Sequence, residues 1–196
     1  MPGYFASLVD PDQPRSFFGV PLAADSWTPL DFSDAPPPAA RPDAAPSEPL
    51  TYPGGSPVID PLTDQPYPRP ERLDINKNLA FGEWLRRGTE HPAEGLAIPS
   101  VTFGALFPAG SVMDYQRPFG HLSPFDKKMT SVTAYNFGAT GAAAGYDLER
   151  LLWGAGLYNR TLGDTKDAKP PFGLTDDRTT SIAHGFSDYH NGLWRK

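Results

Sequence analysis

The chain has 196 residues, 24 of them proline, and it contains no cysteine. The absence of cysteine excludes a disulfide framework, a thiolate metal site and cysteine-based amidase chemistry. Acidic residues outnumber basic ones by 23 to 17, which gives a formal net charge of −6. The chain therefore lacks the basic footprint that nucleic-acid binding normally requires.

The first 70 residues are predicted to form an extended acidic arm. They hold 17 of the 24 prolines and three basic against nine acidic residues, so the whole net charge lies there. Because proline lacks an amide donor and fixes φ, the segment cannot sustain a helix or a central strand. It is either a flexible linker or a strap whose aromatic residues, such as Phe17, Phe18 and Trp27, contact neighbouring protein chains of an assembly.

Residues 71–196 are predicted to form one small, mainly α domain that folds without the arm. Asp74 can cap a first helix that ends at Gly88, and residues 101–113 are predicted to form a loop or a short hairpin. The Gly/Ala-rich segment 136–145 predicts a tightly packed central helix, because small residues let another backbone approach closely.

Two further helices follow. Asp147 can cap the first, which carries the apolar stripe Leu148, Leu151, Leu152, Ala155 and Tyr158. Thr175 or Asp176 can start the last, with Ile182, Phe186 and Tyr189 pointing inward. No apolar run has the length of a membrane span, and the start Met1-Pro2-Gly3-Tyr4 lacks a secretory signal. We therefore expect a protein that is secreted by a dedicated apparatus or carried on a particle.

Between residues 74 and 189 the chain resembles the bacterial polymorphic toxin type 44 family. The resemblance rests on the order of short motifs, namely Asp74-Ile75-Asn76-Lys77-Asn78, Gly110…Asp114-Tyr115, Asn136-Phe137-Gly138…Gly141…Gly145, Gly154-Ala155-Gly156, Asp176-Asp177 and Gly185…Tyr189. Gln116 stands where the family usually has lysine, and Gly138 replaces part of its usual Asn-aromatic-Tyr-Gly run. If the family's catalysis uses those positions, we expect this copy to be weakened or inactive.

Type 44 domains lie at the ends of secreted bacterial toxins. The resemblance thus implies an antibacterial effector, with an immunity protein as a partner, and it leaves the substrate open. A ribonuclease is one proposal for such domains, and nucleic acid is not excluded as a partner here.

The predicted catalytic residues are Asp114, Tyr115, His121, Asn136 and Glu83. Asp114 can project a carboxylate from a turn into a cleft, or simply stabilise the turn. Asn136 can present its amide to a substrate or cap the central helix. His121 is a general base if its loop closes on Asp114, and a surface histidine otherwise. Glu83, beside Trp84, is either an acid of raised pKa or a solvated helix residue.

The predicted substrate-binding residues are Gly138, Asp176, Asp177 and Arg178, although acidic residues in a first helical turn ordinarily serve the helix dipole. His184 and His190 are six residues apart, which does not place two imidazoles on one helix face as metal binding requires. No metal is predicted, and no cofactor motif is present.

Three functions remain open. Residues 71–196 carry no net charge, and the first candidate catalytic group is a carboxylate. Both features favour a hydrolase that cleaves the glycan of peptidoglycan. A ribonuclease toxin is the second, and a non-catalytic structural subunit of a phage virion or other assembly, held by its N-terminal arm, is the third.

Overall fold

The computed structural model describes residues 48–90, 107, 111, 113–117, 124–162 and 168–195. Within them lie four α-helices, α1 (Ile75–Glu90), α2 (Thr130–Ala143), α3 (Leu148–Leu162) and α4 (Asp176–His190), with a 3-10 turn at Lys127–Met129. The predicted mainly α fold class is confirmed. Contacts divide the chain into units Met1–Ala40 and Arg41–Lys196, and every described residue belongs to the second. The predicted anchors Phe17, Phe18 and Trp27 lie outside the described residues.

Aspartate side chains start two of the helices, as predicted. Asp74 Oδ1 accepts a hydrogen bond from the Lys77 amide at 3.1 Å, and Asp147 Oδ1 accepts one from the Arg150 amide at 2.7 Å. Each bond satisfies an amide that has no partner inside the helix. The predicted stop at Gly88 is wrong, because α1 continues to Glu90. A single glycine costs a helix only about 1 kcal/mol, so it does not by itself end one.

Glycines in the left-handed region end α2 and α4. Gly145 has φ of +85° and Gly192 has φ of +73°. Beyond each glycine the next amide donates back into the helix, from Tyr146 to the Gly141 carbonyl and from Leu193 to the Asp188 carbonyl, both at 3.1 Å. This is the Schellman arrangement, which satisfies the last carbonyl groups and turns the chain back.

The Gly/Ala-rich α2 is the central helix, as predicted, and is buried on most of its surface. Its backbone touches that of α4 at two reciprocal points. A Cβ atom on Gly138 would lie 2.0 Å from the Ile182 carbonyl oxygen, and one on Gly185 would lie 2.1 Å from that of Tyr135. Side chains at either point would push the helices apart, so glycine sets their separation.

Residues 48–68 form a small antiparallel unit on the helices. It contains β1 (Ile59–Asp60) and β2 (Gln65–Pro66), and its backbone hydrogen bonds join Leu50, Val58 and Tyr67 to one another at 2.8–2.9 Å. These three side chains are buried in the main core. A prolyl residue fits such short edge pairings, because no ladder amide is needed from it. The C-terminal part of the predicted arm is thus a piece of the domain core, and a boundary at residue 70 would cut through that core.

Candidate functional site

A group of polar side chains, which we call the amide cluster, joins α1, α2 and the segment 113–117. Its members Tyr115, Asn136 and Thr140 are buried, and Asn78 is half-buried. Asn78 of α1 donates through Nδ2 to the Tyr115 hydroxyl and to Asn136 Oδ1, both at 2.8 Å. Thr140, one turn after Asn136, approaches the same Oδ1 at 3.5 Å. The cluster therefore brings together two of the predicted catalytic residues, Tyr115 and Asn136. Asn78, which anchors both, was missed as a site residue although it stands in the first quoted motif.

Asn136 does not cap a helix. The capping interpretation is wrong because α2 begins at Thr130 and Asn136 lies inside it with no exposed surface. Its Nδ2 atom is buried and has no hydrogen-bond partner within the described residues. Such a donor is uncommon in native proteins and destabilises the fold by about 1–3 kcal/mol.

Asp114 is also buried, with 2% of its surface exposed. Its Oδ2 atom is 3.3 Å from Arg117 Nη1, and its Oδ1 atom accepts the Gln116 amide at 3.0 Å. Arg72 Nη2 lies 3.5 Å from the Asp114 carbonyl oxygen, so two guanidinium groups approach this residue. Gln116 in turn donates to Thr130 Oγ1 at 2.7 Å, which fastens the segment to the start of α2. Asp114 is consequently a paired carboxylate beside the amide cluster.

Tyr115 sits in the core as a neutral phenol. Burial raises its pKa above the ordinary value near 10, and the hydrogen bond from Asn78 lowers it in part. A buried phenol of this kind binds through hydrogen bonds and does not ionise near neutral pH. His121, the predicted general base, lies outside the described residues.

Glu83 points to a different neighbour. Its Oε1 atom accepts a hydrogen bond from the Tyr189 hydroxyl at 3.0 Å, which links α1 to α4. Burial and this bond raise the pKa of Tyr189. Among the described side-chain contacts, none joins Glu83 directly to Asp114 or to the amide cluster.

The predicted substrate-binding residues lie at the start of α4 and at the α2–α4 contact. Asp176 pairs with Lys169, and Arg178 Nη1 donates to Asn159 Oδ1 at 2.6 Å. Asp177 lies in the first turn of α4, and Gly138 is the close-packing point already described. None of the interactions found for these four residues in the described part reaches the amide cluster.

A second polar group, which we call the aspartate network, surrounds Asp188 of α4. Its Oδ2 atom accepts hydrogen bonds from the hydroxyls of Tyr52 and Tyr135 at 2.6 and 2.7 Å, and His184 Nε2 lies 3.3 Å away. The Trp194 indole donates to the Tyr135 hydroxyl at 2.9 Å, so the turn after α4 joins the same group.

His184 connects the network to the segment before α1. Its Nε2 atom faces Asp188, and its Nδ1 atom lies 3.4 Å from the Tyr67 hydroxyl, so the ring bridges the two residues. Tyr67 also lies 3.2 Å from Ser181 Oγ. The sequence carried one signal of this pairing, the four-residue spacing of His184 and Asp188 on a predicted helix. The tyrosine partners gave no signal, because they come from distant segments.

No group of three or more histidine, aspartate or glutamate residues that could hold a metal ion occurs among the described residues. In that same part of the chain, no helix has both the length and the apolar character to cross a membrane. No protein-family model, curated protein or solved structure matches the chain. The resemblance to type 44 toxins therefore rests on its quoted motifs alone.

Proposed function

We propose that the domain is an antibacterial effector that hydrolyses peptidoglycan and is delivered by a secretion or phage particle. The observation that carries this proposal is the meeting of Asn78, Tyr115 and Asn136 in one hydrogen-bonded cluster beside the Asp114 carboxylate. These residues come from three separate motifs of the type 44 resemblance. Burying so many polar groups costs desolvation, and a core that serves packing alone avoids that cost.

In this proposal Asp114 is the carboxylate that acts on the glycan, as base or nucleophile. Glu83 of α1 is the candidate acid, although its described hydrogen bond is to Tyr189 and not to the amide cluster. Hydrolysis breaks the bond between the anomeric carbon and the departing sugar oxygen. The acid gives its proton to that oxygen, and a water molecule adds its hydroxyl to the anomeric carbon and returns its other proton to a carboxylate. Tyr115 and Asn136 contribute hydrogen bonds to the sugar. Their neutral, polar character suits a carbohydrate, whose hydroxyl and amide groups are uncharged.

The test is release of dye-labelled cell wall by the purified chain and by Asp114→Asn. We expect the substitution to lower the rate about 100-fold or more, the usual contribution of a positioned base. Asparagine can still accept the Gln116 amide, so the helical signal in circular dichroism should persist. Asp147→Asn is the matched control, because asparagine caps a helix as well as aspartate does.

Two observations favour other functions and define the contrary outcomes. Two arginines, Arg72 and Arg117, approach Asp114, which favours an anionic substrate such as RNA. Release of labelled RNA fragments that is lost in Asp114→Asn would move the assignment to ribonuclease.

The near-complete burial of Asp114, Tyr115 and Asn136 favours a structural subunit. Inactivity towards both peptidoglycan and RNA would favour the structural subunit over both enzymes.

A further inference from the structure

The outer face of α3 presents large apolar side chains to solvent. Trp153 and Leu157 lie one turn apart and keep 45% and 50% of their surfaces exposed. Gly154, beside Trp153, is exposed as well, and a Cβ atom there would meet no described atom within 4 Å. Tryptophan is among the residues most enriched at the energetic centres of protein interfaces. This face of α3 is therefore a candidate contact surface.

Trp153 is held in a fixed position on this surface. Its ring is nearly perpendicular to that of Phe172, with centroids 5.6 Å apart, and the Arg160 guanidinium lies 5.5 Å from the indole centroid. Arg160 also donates to the Phe172 carbonyl oxygen at 2.8 Å. A side chain that is fixed before binding loses little rotamer entropy when a partner covers it. Trp153 is thus suited to anchor a protein contact.

The charges at the two ends of the face make it complementary to itself. Glu149 and Arg160 are exposed on either side of the apolar centre. They are eleven residues apart, which is about three turns of an α-helix, so they share one edge of the face. When a second α3 lies antiparallel on the first, Glu149 of each copy comes opposite Arg160 of the other.

In the same arrangement the two helices cross near Gly154, and Trp153 of each copy lies beside Leu157 of the other. An apolar centre with a charged rim is the usual anatomy of a protein interface, and a two-fold dimer requires a surface that matches itself. Arg150 is the remaining charged residue of the face, and its long side chain can carry its charge into solvent beside the contact.

We propose that the outer face of α3 binds the same face of a second copy of the chain, in an antiparallel two-fold dimer. This inference goes beyond the hydrolase function and does not depend on it. The 15 residues of α3 give a contact only about 22 Å long. A single pair of such helices is small beside the roughly 800 Å² per partner of a typical stable complex. We therefore expect a weak dimer that forms reversibly as the concentration rises.

The test is sedimentation velocity of the full chain over a series of concentrations, which measures the dimer Kd. Glu149→Arg and Arg160→Glu each place like charges at both symmetric contacts, so each should raise the Kd about tenfold or more. The double variant restores two opposite-charge pairs with reversed polarity, and its Kd should fall back towards that of the unaltered chain. Glu71→Arg, the same change at an exposed position outside α3, is the matched control and should leave the Kd unchanged.

Leu157→Lys is a second test, because Arg160→Glu also removes the bond to the Phe172 carbonyl oxygen. Lysine suits an exposed helix position, so the helical signal in circular dichroism should persist while the dimer is lost. A chain that stays monomeric at its highest soluble concentration overturns the inference and leaves the face to a different protein. A dimer whose Kd is unchanged in Leu157→Lys, or a folded double variant that dimerises no better than Glu149→Arg, overturns it as well.

Discussion

Tyrosine hydroxyl groups fasten the segment 48–68, which precedes α1, to α4. Tyr52 and Tyr135 donate to Asp188, and Tyr67 reaches Ser181 and His184. Burial is the main cause that raises the pKa of each of these phenols above its ordinary value. Each hydroxyl therefore contributes its full share of stability only while it keeps its proton.

The free energy of unfolding should therefore fall in alkaline solution. The folded-state pKa values are raised, so the contribution to stability is complete below about pH 10 and is lost as the pH rises further. The buried Tyr67 and Tyr135 should each contribute a slope of up to about 1.4 kcal/mol per pH unit. Urea unfolding at a series of pH values measures this, and Tyr67→Phe should make the slope shallower. A free energy of unfolding that stays level above about pH 10 would contradict the assignment.

The role of a residue could be predicted from the sequence where its hydrogen-bond partner lies only a few residues away. Asp74 and Asp147 are caps because the amides they bind lie three residues later, within reach of any local pattern. Asn136 was not predictable in the same way. Whether it caps a helix depends on where α2 starts, and its partner Asn78 is 58 residues away. Distant pairings of this kind leave no periodic trace in a single sequence.

At the scale of elements, the contact between α2 and α4 makes a sharp prediction. Gly138→Ala places a Cβ atom against the Ile182 carbonyl oxygen, and the helices must separate to admit it. We expect destabilisation of about 1–3 kcal/mol in urea unfolding. Gly154→Ala on α3 is the matched control, because a Cβ atom there meets nothing within 4 Å. It should stabilise the chain by about 0.4–1 kcal/mol. Equal effects of the two substitutions would show that the contact is soft.

The helices themselves were largely predictable. The stripe of α3 and the inward residues of α4 follow helical periodicity, and the small residues of α2 indicated close packing before any partner was known. The choice of partner was not predictable, because glycines at 82, 138 and 185 all meet backbone atoms of a different helix. Which of them face each other depends on helix rotation and on the long connections.

At the scale of the whole molecule, the domain needs residues that composition assigned to the arm. A fragment of residues 71–196 lacks Leu50, Val58 and Tyr67, each buried in the main core. Burial of such side chains stabilises a protein by about 1.5–3 kcal/mol each, and together they rival a typical total of about 5–15 kcal/mol. We expect this fragment to melt without cooperativity, whereas residues 41–196 should melt as the full chain does. Cooperative melting of the shorter fragment would show that the segment is only an attachment.

The proline content suggested a domain boundary at residue 70, although buried core residues precede it, and the reason is physical. Proline density excludes helices and central strands correctly, but it does not exclude short edge pairings that bury the residues between the prolines. Leu50 and Tyr67 lie next to Pro49 and Pro68, which face each other across an antiparallel bridge. The apolar residues of such a segment, rather than its proline content, decide whether it belongs to a core.

The reciprocal contacts of Gly138 and Gly185 also constrain how this sequence can evolve. A large side chain that arises in an ordinary core can be accommodated when a neighbour mutates to a smaller one, and lineages drift through such compensating pairs. Here the obstacle to a larger residue is a carbonyl group of the main chain, which every amino acid possesses. No second substitution at Ile182 or Tyr135 can remove it. Descendants of this chain should thus retain both glycines or change the distance between the two helices.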